Sequence, residues 1–354
     1  MNLVFAAPAN SVHTAKWVNA MIDANHQVML FSMPDQKDGY NEISNKAEIV
    51  YLDVPSDQGG AKKNAKQLKT ALSGKSYDVL VAMGTLTYGT MAAKAGAAHI
   101  MLITDGPSIY ACEQDGTKPQ IKKSVKAAAC VCAASPNIIT KVKDVYKKEQ
   151  TYFVTPFGVD MDKFKKVPSE HAEPCIGSLK MLEPDSGVDL VIRAFKKYID
   201  TPDVNAVLKI AGSGSAEAQL KKDAQELGIA DKVEFLGYVK HEDMPGVINS
   251  MDIVVQMPNQ EFFGVSTIEA MACEVPVVAS DTVGSAEFIL NGVTGYMVKI
   301  GKVDACADKM LAVMKDPAAR EHMGKLCRDD VEPVYNMQTC TDKFTEALNY
   351  ASKN

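Results

Sequence analysis

The sequence predicts an α/β protein made of two doubly wound parallel-sheet domains, and three observations carry that prediction. Short apolar runs alternate with amphipathic segments along the chain, the pattern of repeated strand–helix–strand units whose sheets are covered on both faces. At 354 residues the chain suits two domains. A polar stretch bounded by prolines, Val167–Pro174, has linker composition and separates two such series. Right-handed crossovers leave a doubly wound sheet as the sensible architecture for each.

Taken in order, Met1–Ala6 reads as a strand and Thr14–Ala24 has helical spacing. Gln27–Phe31 and Glu48–Leu52 are strands, and Lys62–Leu72 is a Lys-rich amphipathic helix. The strand Asp78–Met83 precedes a helix around Gly89–Ala95, a strand His99–Thr104, a helix near Gln120–Ala128 and a short strand near Cys130–Ala133. The second series begins with strand Cys175–Leu179, helix Asp189–Tyr198, strand Ala206–Ala211, helix Ala216–Leu227 and strand Val233–Leu236. It continues through helix Met244–Asn249, strand Ile253–Gln256, helix Ser266–Cys273, strand Pro276–Ser280 and helix Ser285–Leu290. From Lys302 onward the chain is helical and acidic. The domains expected are 1–155 and 156–336, with a last helix over about 337–354. Ligands in such folds sit beyond the carboxyl ends of the strands, here in an expected interdomain cleft.

Composition narrows the function classes. Apolar residues at 46% and charged residues at 23% exclude long disorder. A net charge of −6 gives no support for a nucleic-acid binder. The sign is uneven: residues 1–155 carry 17 Lys against 13 Asp and Glu, while the remainder carries 21 Lys and Arg against 31. No run approaches 18 apolar residues, so no membrane-spanning helix is expected. The N-terminus lacks the basic start and apolar length of a signal peptide. Eight cysteines show no CxxC pair and no His at ligand spacing, so buried reduced thiols in a cytoplasmic protein are expected in place of disulfides or zinc.

The segment Pro258–Pro276 concentrates chemistry. A strand ends near Met257, a loop carries Glu261, and Gly264 permits close backbone approach before a helix that Ser266 or Thr267 could cap. The first amides of such a helix suit a diphosphate. Glu269 could accept hydrogen bonds from sugar or ribose hydroxyls, with Glu261 reaching the same pocket from the loop. The bland alternative is that Glu261 is solvated and Glu269 is a helix-start carboxylate.

With these residues in place, the chain resembles the retaining GT-B glycosyltransferases of glycosyltransferase family 4. Glu261–Glu269 looks like that family's Glu-x7-Glu signature. Thr155–Phe164, Leu208–Gly214, Asp231–Gly237, Met251–Met257, Val275–Asp281 and Gly292–Val298 fall in the family's order. The resemblance implies a GT-B fold of two Rossmann-like domains, with the helix Met337–Ala351 crossing back to the first. It implies that Glu269 binds ribose hydroxyls, Glu261 contacts the transferred sugar, and amides around Phe263, Gly264, Val265 and Ser266 hold sugar and diphosphate. Gly212 and Gly214 would line the nucleotide pocket and Lys180 would clamp the diphosphate. No cofactor or metal is implied, and no Asp-x-Asp motif is present. The donor is expected to be a UDP- or GDP-linked sugar.

The sequence departs from the family at defined positions. Asp185 stands where a second clamp Lys is usual. A carboxylate about 4 Å from a phosphate, at an effective dielectric of about 20, costs roughly 4 kcal/mol before rotation and water reduce it. The strand Asp78–Met83 leads into Met83-Gly84 without the cleft His of many relatives, and the turn Gly106-Pro107-Ser108 lacks its Asp. His13 has two readings, a contact to donor phosphate or acceptor, or a first-turn polar residue. The Lys-rich segments Lys62–Lys69, Lys118–Lys126 and Lys141–Lys148 read as solvated helix faces or as a basic surface for anionic membrane, and the usual pattern of charged helices favours the first.

The expected function is transfer of a hexose-like sugar to a hydroxyl acceptor on a glycan or lipid, with configuration retained, in glycan, glycolipid or cell-surface polysaccharide synthesis. Its alternative is a catalytically impaired homologue that binds a nucleotide, a glycan or a partner protein. A Rossmann dehydrogenase is disfavoured because no G-x-G-x-x-G opens the first helix. The expected location is cytoplasmic, with peripheral contact on the inner membrane face as its variant.

Overall fold

In the computed structural model, residues 1–38, 42–169 and 173–354 are described. The chain divides into two compact units, Met1–Phe157 with Gln338–Asn354, and Gly158–Met337. Of the expected linker 167–174, residues 170–172 lie outside the described ones. Both units are parallel α/β sheets, so the fold class is the doubly wound one.

The first unit runs β1 (Asn2–Ala6), α1 (Val12–Asp23), β2 (Gln27–Ser32), β3 (Glu48–Tyr51), α2 (Gly60–Lys63), α3 (Ala65–Leu72), β4 (Val79–Met83) and α4 (Gly89–Ala95). It continues through β5 (Ile100–Ile103), α5 (Gly106–Ala111), α6 (Lys118–Ala127), β6 (Cys130–Ala133), α7 (Pro136–Tyr146) and β7 (Tyr152–Val154). Strand order is β3-β2-β1-β4-β5-β6-β7, with every neighbouring pair parallel. Every residue of β4, β5 and β6 is buried, which is why these strands read as unbroken apolar runs. A single π-helical turn, Gly84–Tyr88, joins β4 to α4.

Helix α7 and strand β7 have no counterpart among the predicted elements. The helix buries Ile138, Ile139, Val142 and Val145 on one face, but intervening Lys and Thr dilute the stripe. It is capped by the Ser135 hydroxyl, which accepts from the Ile138 N–H, and Pro136 supplies a preset φ at the first turn.

The second unit runs β8 (Cys175–Leu179), α8 (Val188–Ile199), β9 (Val207–Ala211), α9 (Glu217–Glu226), β10 (Val233–Gly237), α10 (Met244–Asn249) and β11 (Ile253–Gln256). Then follow α11 (Val265–Ala272), β12 (Val277–Ser280), β13 (Gly295–Val298), α12 (Val303–Met314) and α13 (Pro317–Tyr335). Strand order is β10-β9-β8-β11-β12-β13, again all parallel. One face buries α8, α9 and α12, and the other buries α10, α11 and α13. The helix predicted over Ser285–Leu290 is only a 3₁₀ turn, Ser285–Glu287. The Thr282 hydroxyl accepts from the Ser285 N–H, and the chain then turns back toward β13 before a second helical turn can form.

The last helix, α14 (Met337–Ala351), returns to the first unit. Its Cys340, Phe344, Ala347, Leu348 and Ala351 complete the core that α1 and β1 begin. Phe344 stacks on Trp17 with ring centroids 4.2 Å apart.

Candidate functional site

In a doubly wound sheet the ligand crevice opens where neighbouring strands send their chains to opposite faces. In the second unit that point lies between β8 and β11. Lys180 directly follows β8, Glu261 sits in the loop after β11, and the two side chains form an ion pair. They are 16% and 18% exposed, so the pair is shielded yet open to an entering ligand. The Glu261 carbonyl accepts from the Gly284 N–H at 2.8 Å. A Cβ on Gly284 would lie 2.9 Å from the Phe263 nitrogen, so only glycine lets the two loops meet this closely.

Gly212 and Gly214 shape the same edge. A Cβ on Gly212, whose φ is +150°, would sit 1.9 Å from the Lys180 carbonyl oxygen, and one on Gly214 would sit 2.4 Å from that of Leu182. The Lys180 and Leu182 amides donate to Ala211 and Ser213 at 3.2 and 3.0 Å. The two glycines are therefore required by the chain's own packing, which holds Lys180 in place.

The start of α11 corrects one expectation. Neither Ser266 nor Thr267 caps it: Gly264 occupies the N-cap and brings no side chain, so the helix begins with its amides uncapped. The Ser266 hydroxyl accepts from Gln256 Nε2 at 3.1 Å, and the Thr267 N–H bonds the Gly264 carbonyl at 3.0 Å. The amides of Val265 and Ser266 carry no partner among the described residues. Phe263 turns its ring into the core against Phe288 and Tyr335, at 5.1 and 6.1 Å between centroids.

Glu269 is 7% exposed, and its Oε1 lies 2.9 Å from His241 Nε2. His241 follows β10 and packs its ring at 5.2 Å, tilted, against Phe164. The sequence reading leaves the Glu269 carboxylate free for hydroxyls; in the structure one of its oxygens is already engaged by an imidazole. No local pattern signals that contact, because Glu269 lies 28 residues beyond His241 in the chain.

Asp185 is exposed within the 3₁₀ turn Pro184–Ser186, and its carbonyl accepts from the Asn259 N–H at 3.3 Å. The turn therefore sits beside the loop that carries Glu261. Met181 and Tyr238, 69% and 65% exposed, follow β8 and β10 at this carboxyl edge.

In the first unit, His13 lies at the second position of α1 and stacks on Phe157 with centroids 3.9 Å apart. Its Nδ1 is buried without a hydrogen-bond partner among the described residues. Burial, with Lys16 nearby, pushes its pKa down to about 4, so the imidazole is neutral near pH 7. Asp105, one residue before Gly106-Pro107-Ser108, caps α5. It accepts from the amides of Ser108 and Thr85 at 2.8 and 3.0 Å. Among the described residues no three His, Cys, Asp or Glu side chains converge as metal ligands would.

Comparison with known proteins adds an independent line. The family model of glycosyl transferases group 1 matches residues 160–329, and that of glycosyl transferase 4-like proteins matches residues 2–135. A GDP-mannose-dependent monoacylated alpha-(1-6)-phosphatidylinositol monomannoside mannosyltransferase of Corynebacterium glutamicum is 27% identical over 278 residues, 73% of this chain and 71% of that protein. The N-acetyl-alpha-D-glucosaminyl L-malate synthase of Bacillus anthracis is 25% identical over 65% of this chain and 61% of its own. Among solved structures, sucrose-phosphate synthase from Thermosynechococcus elongatus superposes with a TM-score of 0.85 at 18% identity, covering 99% of this chain and 98% of that one. Anabaena HepE in complex with UDP and glucose superposes at 0.80 with 19% identity, covering 99% of each chain. At these identities the structures establish the fold alone.

Proposed function

The chain belongs to the GT-B glycosyltransferases of the family 4 type, and from that membership we propose that it moves a hexose-like sugar from a UDP- or GDP-linked donor to a hydroxyl on a glycan or lipid acceptor, with configuration retained. The observation that carries the proposal is the convergence, at the switch point of the second sheet, of Lys180, Glu261 and the uncapped start of α11. In this reading the Val265 and Ser266 amides and Lys180 stabilise charge developing on the departing diphosphate, the kind of preorganised electrostatics that dominates many enzymes. Donor entry exchanges the Lys180–Glu261 pair for two new contacts, phosphate on Lys180 and a sugar hydroxyl on Glu261. Glu269 takes the ribose hydroxyls with the oxygen that His241 leaves open, and Gly212 and Gly214 keep the adjoining turn close. The acceptor hydroxyl attacks the anomeric carbon from the face the diphosphate leaves, the bond to the diphosphate oxygen breaks, and the hydroxyl proton passes to that departing oxygen. His13, neutral at pH 7, offers the acceptor a hydrogen bond but no charge. No cofactor or metal ion is part of this reading.

Titration calorimetry with UDP-, GDP- and ADP-sugars tests it. At least one donor should bind, and Glu269→Gln should weaken that donor by about 10- to 100-fold, since a hydrogen bond to a charged acceptor contributes about 1.5–3 kcal/mol. A folded protein that binds none of them ends the enzyme reading.

Asp185 favours the second reading, a noncatalytic relative that holds a nucleotide, glycan or partner protein. Asp185→Lys separates the two. If the native chain has lost its clamp, donor affinity and turnover emerge only in the variant; turnover in the unaltered chain rejects the noncatalytic reading.

A further inference from the structure

A groove of 560 Å³ lies in the first unit between α4 and α6 and is bordered by α2. It exists because the facing helix positions are small: Ala93 and Thr90 on one side, Gly116, Ser124 and Ala127 on the other. Its volume falls in the range of small-molecule sites. Three exposed lysines from three helices border it, Lys62, Lys94 and Lys123. None of them pairs with a carboxylate among the described residues, and no carboxylate lines the groove. Asp115, next in sequence to Gly116, accepts from the amide and hydroxyl of Thr117 at the rim.

The floor is polar. The hydroxyls of Thr90 and Ser124 are 3.4 Å apart, and Gln120 Nε2 donates to Thr90 Oγ1 at 2.9 Å. Charge in the surrounding sequence is one-sided as well: residues 59–77 hold five lysines and no acid, and residues 116–143 hold six lysines and no acid. Three unpaired ammonium groups bordering a cavity with no carboxylate among its lining residues present donors and positive potential without a counterion, the arrangement that a multiply charged oxyanion satisfies.

We propose that the groove between α4 and α6 binds a phosphate group, either free or carried on a lipid headgroup, with Lys62, Lys94 and Lys123 as its ligands. The site is separate from the donor site described above, and its test does not depend on turnover.

The full chain is titrated with inorganic phosphate by calorimetry. In parallel it is floated with vesicles of phosphatidylcholine alone and of phosphatidylcholine with phosphatidylglycerol. The variant carrying Lys62→Gln, Lys94→Gln and Lys123→Gln is compared with a control carrying Lys141→Gln, Lys143→Gln and Lys147→Gln, which removes the same charge from α7 and its C-terminal end. Saturable binding of phosphate identifies the free ion, and binding only to the anionic vesicles identifies the headgroup. In either arm the groove variant should bind roughly 100-fold more weakly and the control within about threefold of the parent, on the scale of one favourable contact per lysine. The proposal is overturned if the parent binds neither probe, or if the control loses as much as the groove variant. All six lysines project from helical surface segments, so circular dichroism should report the parent fold in both variants.

Discussion

His13 shows how far one residue's chemistry can move from its sequence reading. Its sequence position allows a contact to donor phosphate or acceptor, or a plain first-turn polar residue; in the structure its burial against Phe157 holds it neutral. The sign of the consequence follows from linkage. Between about pH 6.5 and about pH 4 the unfolded chain binds a proton that the folded chain refuses. Unfolding free energy therefore falls as pH drops through that window, by roughly 3 kcal/mol across it. Urea unfolding of the parent and His13→Asn at pH 7 and pH 4.5 checks this: the parent should lose about 2–3 kcal/mol more than the variant between the two conditions. Equal losses would reject the assignment. At the same scale, Glu261 and Glu269 were legible as a spaced pair, because a helix start after a glycine loop suggests what its carboxylates can reach. Their resting partners, Lys180 and His241, come from loops 81 and 28 residues away in sequence, a proximity that no local pattern encodes.

Elements divide along the same line. The buried strands of both sheets were readable because parallel strands covered on both faces must be apolar throughout. Helix α7 was not, because its surface lysines mask a narrow apolar stripe. The turn at Ser285 was read as a helix because residues 285–290 have helical composition, whereas closure of β13 onto β12 leaves room for only one 3₁₀ turn. Helix α14 draws its stability from tertiary packing: Phe344 is fully buried between Trp17 and Phe5. Phe344→Ala should cost about 3–5 kcal/mol. Chemical denaturation should show that loss as a lower midpoint at an unchanged slope. A loss below about 1 kcal/mol would mean that the α14 contact is dispensable.

At the scale of the whole molecule, all eight cysteines are buried and free. Burial pushes Cys175 and Cys340 up to about 11, and Cys273 and Cys306 up to about 12, so thiolate is scarce at neutral pH. A thiol-specific reagent should therefore label almost nothing in the native protein at pH 8 and all eight sites once it is unfolded. Rapid native labelling of several thiols would contradict the packing described for both sheets. No helix in the described residues is long and apolar enough to cross a membrane, in keeping with the absence of any long apolar run.

The sequence by itself determined the alternating strand–helix order, the buried central strands of both sheets and the glycine-rich edge where α11 begins, because apolar periodicity and backbone freedom are local properties that each segment carries alone. Only the tertiary structure decided that Lys180 meets Glu261, that His241 occupies one oxygen of Glu269, that His13 is neutral, and that three lysines from separate helices surround one cavity. Those facts depend on distances between segments remote in the chain and on the solvent each group loses when they pack.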